Sequence, residues 1–293
     1  KVDAKPETVF ETKLSAVMDA GDMMGQLAAH SAMSLAIKKA EAAGVGMVAV
    51  RNSNHYGIAG YYAGMALEHD LMGVCMTNTE AIMVPTFARQ AMLGTNPIAL
   101  AMPADPVPFL FDAATTVVPR GKLEVYNKQG KPAPAGWMLD ENGLETSDTG
   151  LVLHNIIHKL GGGILPLGGA GEETSGYKGY GFGLMCELFT AILSGGTTSD
   201  DIYKKPGGSG IAHFFMAVDY GLFGDKANIR DSFSAYLQKL RDAKKAEGRE
   251  RVYIHGEKEE ESRNDKMSGG IPVQEKTFGE MAAIAGEMGI EAL

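Results

Sequence analysis

The sequence predicts an α/β fold, and three observations carry the prediction. Short apolar runs such as MVAVR at Met47–Arg51 and the run over Leu71–Thr77 end abruptly in polar loops, as buried strands do. Stretches with helical spacing separate them. Finally, 45% apolar and 22% charged residues in a chain of 293 residues are enough to bury a large core.

Taken in order, residues Gly25–Ala43 place Ala29, Met33, Ile37 and Ala40 on one face of a helix rich in strong helix formers, and Gly44 ends it. Met47–Arg51 follows as a strand and stops at Asn52-Ser53-Asn54-His55-Tyr56-Gly57. A second helix is expected over roughly Ile58–His69, then a strand over Leu71–Thr77 that ends at Asn78. This order sets His55 and Asn78 just past the carboxyl ends of strands, the edge where open α/β sheets bind ligands. Further apolar runs lie at Ile98–Met102 and Phe109–Phe111, with Asp112-Ala113-Ala114-Thr115-Thr116 after them. Residues Asn127–Ser147 read as a long surface loop, and Gly161–Gly183 holds ten glycines before an apolar helix over Leu184–Leu193. Phe214–Val218 reads as a strand, Ile229–Glu247 as an amphipathic helix, Glu257–Glu261 as a solvated acidic run and Phe278–Met288 as a last short helix.

Composition narrows the function. A net charge of -9 argues against nucleic acid as a main partner, because phosphate contacts need clustered Lys and Arg. No apolar run approaches the roughly 18 residues of a membrane span, so no membrane partner is expected. Cys75 and Cys186 lie among apolar neighbours without paired spacing, which reads as two buried thiols in a reducing, cytoplasmic setting.

Among seven histidines, His30 and His69 belong to helices, and His154 and His158 have metal-ligand spacing without a neighbouring acid. No metal is expected. His55 differs, because it sits in a polar loop at a strand end, although a lone loop histidine is by itself more often structural. The chain lacks G-x-G-x-x-G, so a dinucleotide, if bound, is bound without a Rossmann fold; the P-loop spacing and the G-x-S-x-G elbow are missing too. Gly176-Tyr177-Lys178-Gly179-Tyr180-Gly181 puts a lysine and backbone amides at the mouth of a helix, which suits a pyrophosphate or equally a flexible loop with an exposed cation.

A series of segments in fixed order carries a resemblance. It runs through DAGDMMGQ (Asp19–Gln26), VRNSNHYGIAGY (Val50–Tyr61), MTNTE (Met76–Glu80), LGTNPIA (Leu93–Ala99) and FDAATTVVPRGK (Phe111–Lys122). It continues through GWMLDENG (Gly136–Gly143), LPLGG (Leu165–Gly169), YKGYG (Tyr177–Gly181), HGE (His255–Glu257) and GIPV (Gly270–Val273). By these the chain resembles the malate/L-lactate dehydrogenase family, whose relatives include ureidoglycolate, sulfolactate and diketogulonate oxidoreductases and cyclic imine reductases.

The resemblance implies a layered mixed β-sheet with flanking helices, like the L-sulfolactate and malate dehydrogenases and unlike Rossmann proteins. It also implies NAD- or NADP-linked interconversion of a 2-hydroxy acid and a 2-oxo acid by a homodimer acting on a small carboxylate. The family's N-S-x-H-[FY]-G histidine falls on His55, the expected acid/base group. Cofactor contacts fall on Thr79, Asp112, Ala113, Ala114, Thr115, Lys178, Gly179, Gly256, Glu257 and Lys258. Residues 1–110 with 250–293 are expected to form a substrate and dimerisation lobe, and 111–249 a dinucleotide lobe. Amides at Gly57–Ala59, or Lys122, are candidates for the substrate carboxylate.

Two departures stand out. The family's P-G-E turn is His255-Gly256-Glu257 here. Its R-G-x-x-S-H-G segment, whose Arg and His help hold and protonate substrate, is not in these residues and is expected before Lys1. Two alternatives stay open: a reductase of a cyclic imino acid, and a non-catalytic binding protein on the same scaffold.

Overall fold

The computed structural model describes residues 1, 3–204 and 208–291. They fall into two units, Lys1–His255 and Gly256–Leu293. The first is built on a seven-stranded mixed sheet. Its strands are β1 (Glu7–Glu11), β2 (Ser15–Asp19), β3 (Val45–Ser53), β4 (Met72–Thr77), β5 (Ile98–Met102), β6 (Phe109–Ala113) and β9 (Ile211–Val218). The spatial order is β1-β2-β3-β9-β4-β5-β6. Only β2 and β3 pair parallel; β9 runs antiparallel between β3 and β4, so β3 and β4 end on the same edge.

Both sheet faces are covered, which is why the central strands read as continuous apolar runs rather than as alternation. On one face α1 (Gly25–Ala43) and α2 (Ala59–Met65) pack Ala28, Ala32, Met33, Ala36 and Tyr62 against Val48, Val50, Cys75 and Phe215. On the other, Cys186 with Met185 and Phe189 covers Ala49, Val74, Met76 and Phe214. Gly44 closes α1 in the left-handed region at φ +86°, as its position predicts. The second helix is shorter than its apolar spacing suggests: regular α-helix stops at Met65 and a 3-10 turn carries the chain from Ala66 to His69.

Residues 127–147 are not a bare loop. Around them α3 (Arg120–Lys128), β7 (Met138–Leu139), α4 (Thr149–His158) and β8 (Gly163–Ile164) enclose a separate cluster of Leu123, Met138, Val152, Ile156 and Ile164. Asp148 caps α4 by accepting from the Leu151 N–H at 2.9 Å. The glycine-rich stretch also differs from expectation. Its helix, α5 (Gly176–Glu187), begins eight residues before Leu184, and a π-helical turn occupies Leu188–Ile192. The next helix, α6, covers Lys226–Arg241. Two strands at one side of the sheet, the edge strand β1 and its neighbour β2, are additions to the predicted elements.

The second unit contains α7 (Glu257–Gly269) and α8 (Glu275–Met288). The acidic run Glu257–Glu261 is therefore the opening of a helix, where carboxylates favour the positive end of the helix dipole.

Candidate active site

The site is built at the edge where β3 and β4 end and β9 begins. There the chain leaves β3 through Asn52, whose φ of +53° is left-handed. Asp19 holds this turn, accepting from Arg51 Nε at 2.9 Å, Asn52 Nδ2 at 2.8 Å and the Gly21 N–H at 3.0 Å. Burial pushes the Asp19 carboxyl up, but those three donors outweigh it and it settles below the ordinary carboxylate value.

The following residues are pinned one by one. Asn54 Nδ2 donates to the carbonyls of Asp22 at 3.0 Å and Met23 at 2.8 Å. Ser209 Oγ lies 2.7 Å from the Ser53 carbonyl and donates to it. Tyr56 is buried, its ring stacked between His213 and Tyr62 with centroids 4.4 and 4.7 Å away. Tyr62 donates its hydroxyl to the Tyr56 carbonyl at 2.6 Å. From below, Gly25 opens α1 directly against this backbone: a Cβ there would lie 2.1 Å from the Asn54 carbonyl oxygen and 2.5 Å from that of His55. Only glycine allows so close an approach.

The result is an exposed imidazole on a fixed backbone. His55 Nδ1 accepts from the Gly57 N–H at 3.2 Å, so the neutral ring carries its proton on Nε2. The edge partner suggested by sequence, Asn78, is turned inward instead. It is fully buried, accepting from the Ala212 N–H at 2.8 Å and donating to the Thr197 carbonyl at 2.9 Å. It also helps enclose Glu187, a buried carboxylate that accepts from Asn96 Nδ2 at 2.8 Å, from the Ser199 N–H at 3.3 Å and from the Ser199 hydroxyl.

Several of the expected cofactor residues form one row. Thr79 Oγ1 accepts from the Thr95 N–H at 3.0 Å, and Thr115 Oγ1 donates to the Thr95 carbonyl at 3.0 Å. The Thr115 carbonyl accepts from the Leu167 N–H at 2.8 Å. Leu167 in turn lies flat against Gly179, where a Cβ would sit 2.3 Å from its carbonyl oxygen. Gly176 packs in the same way on Gly169. These glycines therefore seat a helix instead of forming a flexible loop. Thr115 and Gly179 are buried, Thr79, Ala113 and Ala114 half-buried, and Lys178 exposed in the first turn of α5.

Asp112 points elsewhere. Its Oδ2 accepts from the Gly60 N–H at 2.6 Å, so an anion already occupies the amino end of α2. With the Gly57 N–H turned to His55, the amides of Gly57–Ala59 are a poor seat for a substrate carboxylate. Lys122 is exposed and stands 5.7 Å over the Trp137 ring. Gly256, left-handed at φ +101°, opens α7, with Glu257 and Lys258 in its first turn. Cys75 and Cys186 are free and buried, and burial pushes both thiols up. Among the described residues no cluster of three or more His, Cys, Asp or Glu could hold a metal ion, and no helix is long and apolar enough to cross a membrane. Sequence reasoning passed over His213, which lies in the apolar run of β9.

Comparison with known proteins places the chain among oxidoreductases of the 2-hydroxy-acid dehydrogenase type, and its mixed sheet is assembled without the glycine fingerprint of the doubly wound dinucleotide fold. Residues 1–282 match the family described as malate/L-lactate dehydrogenase, and the chain belongs to that family. Its members are in general NAD(P)-dependent dehydrogenases. A malate dehydrogenase of Pyrococcus horikoshii is 43% identical over 290 residues, covering 99% of this chain and 79% of the relative. An L-sulfolactate dehydrogenase of Methanocaldococcus jannaschii is 35% identical over 99% of this chain and 80% of its own length. Among solved structures, the malate dehydrogenase of Entamoeba histolytica superposes with a TM-score of 0.94 at 32% identity, covering 98% of this chain and 81% of the other. A delta1-piperideine-2-carboxylate reductase from Pseudomonas syringae gives 0.81 at 28% identity over 94% and 78%.

Proposed function

We propose that the protein transfers a hydride between NAD or NADP and a small 2-hydroxy acid such as malate or lactate, with His55 as acid/base group. The observation that carries the reading is the exposed His55 imidazole on a backbone locked from three sides, in a chain that is 43% identical to a malate dehydrogenase.

The residues present fit a dinucleotide. A cation at the amino end of a twelve-residue helix suits a pyrophosphate, and Lys178 stands there exposed. Asp112, exposed and oriented by Gly60, suits hydroxyl or amide donors. Thr79, Thr115 and Gly179 are linked to one another through the Thr95 and Leu167 backbone, with Lys178 next in sequence to Gly179. On the resemblance, Ala113, Ala114, Gly256, Glu257 and Lys258 are further proposed contacts. When bound, the dinucleotide supplies the hydride carrier.

Everything else falls to the chain itself. Loss of hydride from C2 must be matched by loss of the hydroxyl proton, and a histidine side chain is the commonest group to take it. In its resting tautomer His55 offers Nε2–H to a substrate oxygen. To accept a proton at Nε2, the ring must release the Gly57 N–H from Nδ1, so the Gly57 amide is part of the exchange. No metal is needed, since hydrogen-bond donors and a cation can stabilise the oxygen.

A second reading keeps the cofactor and reduces the C=N bond of a cyclic imino acid, favoured by the likeness to the piperideine-2-carboxylate reductase. The protein is further proposed to be a cytoplasmic homodimer, with the exposed Phe182, Leu184, Leu188 and Ile192 along and beyond α5 giving an apolar surface of the kind a second copy covers. The test is a panel of malate, lactate and ureidoglycolate with NAD⁺ and NADP⁺, and of the matching 2-oxo acids and a cyclic imine with NADH and NADPH, followed at 340 nm. Turnover of a hydroxy or oxo acid supports the first reading. Turnover of the imine alone selects the second, and dinucleotide binding without turnover of any of the panel would make the protein a binder.

A further inference from the structure

We propose that His213 is a positioning residue for His55: its buried imidazole grips the chain on both sides of His55, through Ser53 and Tyr56, and turnover depends on that grip. The inference rests on the reading of His55 as the acid/base group.

The need for a grip comes from the register. Val50 pairs with His213 but Ser53 pairs with Ile211, so three steps along β3 match two along β9. Such an irregularity bends a strand and re-aims the residues after it, here through the left-handed Asn52. The β3–β9 ladder ends at Ser53, and beyond it side chains take over much of the hold on the chain.

His213 fills the place. Its Nε2 lies 2.9 Å from Ser53 Oγ and its Nδ1 2.7 Å from Thr77 Oγ1, so it ties the ends of β3 and β4 together across β9. The ring is parallel to Tyr56 within 3° at 4.4 Å. Thr77 donates its own hydroxyl to the Ala212 carbonyl at 3.0 Å. Its oxygen is within reach of His213 Nδ1 and the Ser53 hydroxyl within reach of Nε2, so both ring nitrogens have a partner. His213 has no solvent exposure, and burial pushes its pKa down to about 3. It is therefore a neutral strut and not a proton carrier. An aliphatic side chain would fill the same strand position, but it would break the link that the ring makes between Ser53 and Thr77.

The test compares S53A, H213F and H213Q with wild type in the full chain. Three quantities are read: kcat against KM for the substrate that the panel turns over, the NADH Kd by fluorescence, and hydrogen exchange over residues 50–60. Loss of positioning alone is typically worth about a hundredfold in rate. S53A and H213F should lower kcat by roughly ten- to hundredfold while KM and the NADH Kd stay within about threefold. Exchange over 50–60 should rise in both, and in S53A, which leaves the Thr77 contact intact, that over 72–77 should be unchanged. In an S53A/H213F double variant the two effects should not multiply. H213Q, whose amide can reach Ser53, should recover most of the rate. Wild-type kcat in S53A, an NADH affinity lost in parallel, or loop exchange that does not change would overturn the proposal. S53A removes a single oxygen and decides the matter even if H213F does not fold. If the panel finds no substrate, or His55 proves dispensable, the exchange measurement still reports whether His213 holds the loop.

Discussion

Residues 52–57 and residues 168–179 are both turns in which the chain adopts left-handed geometry, yet they are held in opposite ways. The first is fixed by side chains: Asp19 on Asn52, His213 on Ser53 and Tyr56, and Asn54 on two carbonyls, with Gly25 pressed beneath. The second is fixed by missing side chains, since Gly176 and Gly179 let α5 rest on the backbone of Gly169 and Leu167. The contrast matches what each proposed group must do. A proton-transfer group has to be held to a fraction of an ångström, whereas a lysine that neutralises a pyrophosphate acts as a flexible point charge.

Acid should break the first region before the second. Folded His213 stays neutral to about pH 3, but in the unfolded chain a histidine titrates near 6.5. Between these values the unfolded state binds the extra proton. Stability from this group is therefore complete above about pH 6.5 and falls as pH drops, by up to about 1.4 kcal/mol per unit. Urea unfolding at pH 7, 6 and 5 should show that slope in wild type and a shallower one in H213Q.

Next in size, G25A forces a Cβ into the Asn54 and His55 carbonyls and should cost about 1–3 kcal/mol, read as a fall in Tm together with a loss of kcat. A smaller effect is expected from K178Q, which removes one charge-assisted contact. NADH affinity should weaken roughly tenfold with kcat nearly unchanged, as a contact worth about 1.5 kcal/mol implies. The smallest change has the opposite sign. Gly181 lies within α5, and an alanine methyl there would meet no atom within 4 Å, so G181A should stabilise by about 0.5–1 kcal/mol in the same Tm assay.

The same two regions show what was legible in the sequence. Alternation of apolar runs with helical spacing located α1, β3, β4 and β9 to within a few residues, because burial on both faces leaves an unmistakable pattern. The His55 loop was legible through its polar residues at a strand end. β1 was not, since all five of its residues are exposed and nothing in ETVFE marks a partner. Nor was the start of α5: four glycines in its first turns argue against helix locally, and tertiary packing overrides that preference. Residues 127–147 hid a short strand and the end of α3 behind their prolines and glycines, because a two-residue strand has no period to read. Asn78 misled, since strand-end position does not tell which way a side chain turns. His213 had one available signal: an imidazole inside IAHFFMAV is costly to bury unless both nitrogens are satisfied.

The most direct measurement is steady-state turnover and NADH binding of H55A beside wild type. Positioned acid/base catalysis is worth about 10²- to 10⁴-fold, so kcat should fall by that much with the NADH Kd within a few-fold. Turnover that survives the substitution would contradict the assignment of proton transfer to His55.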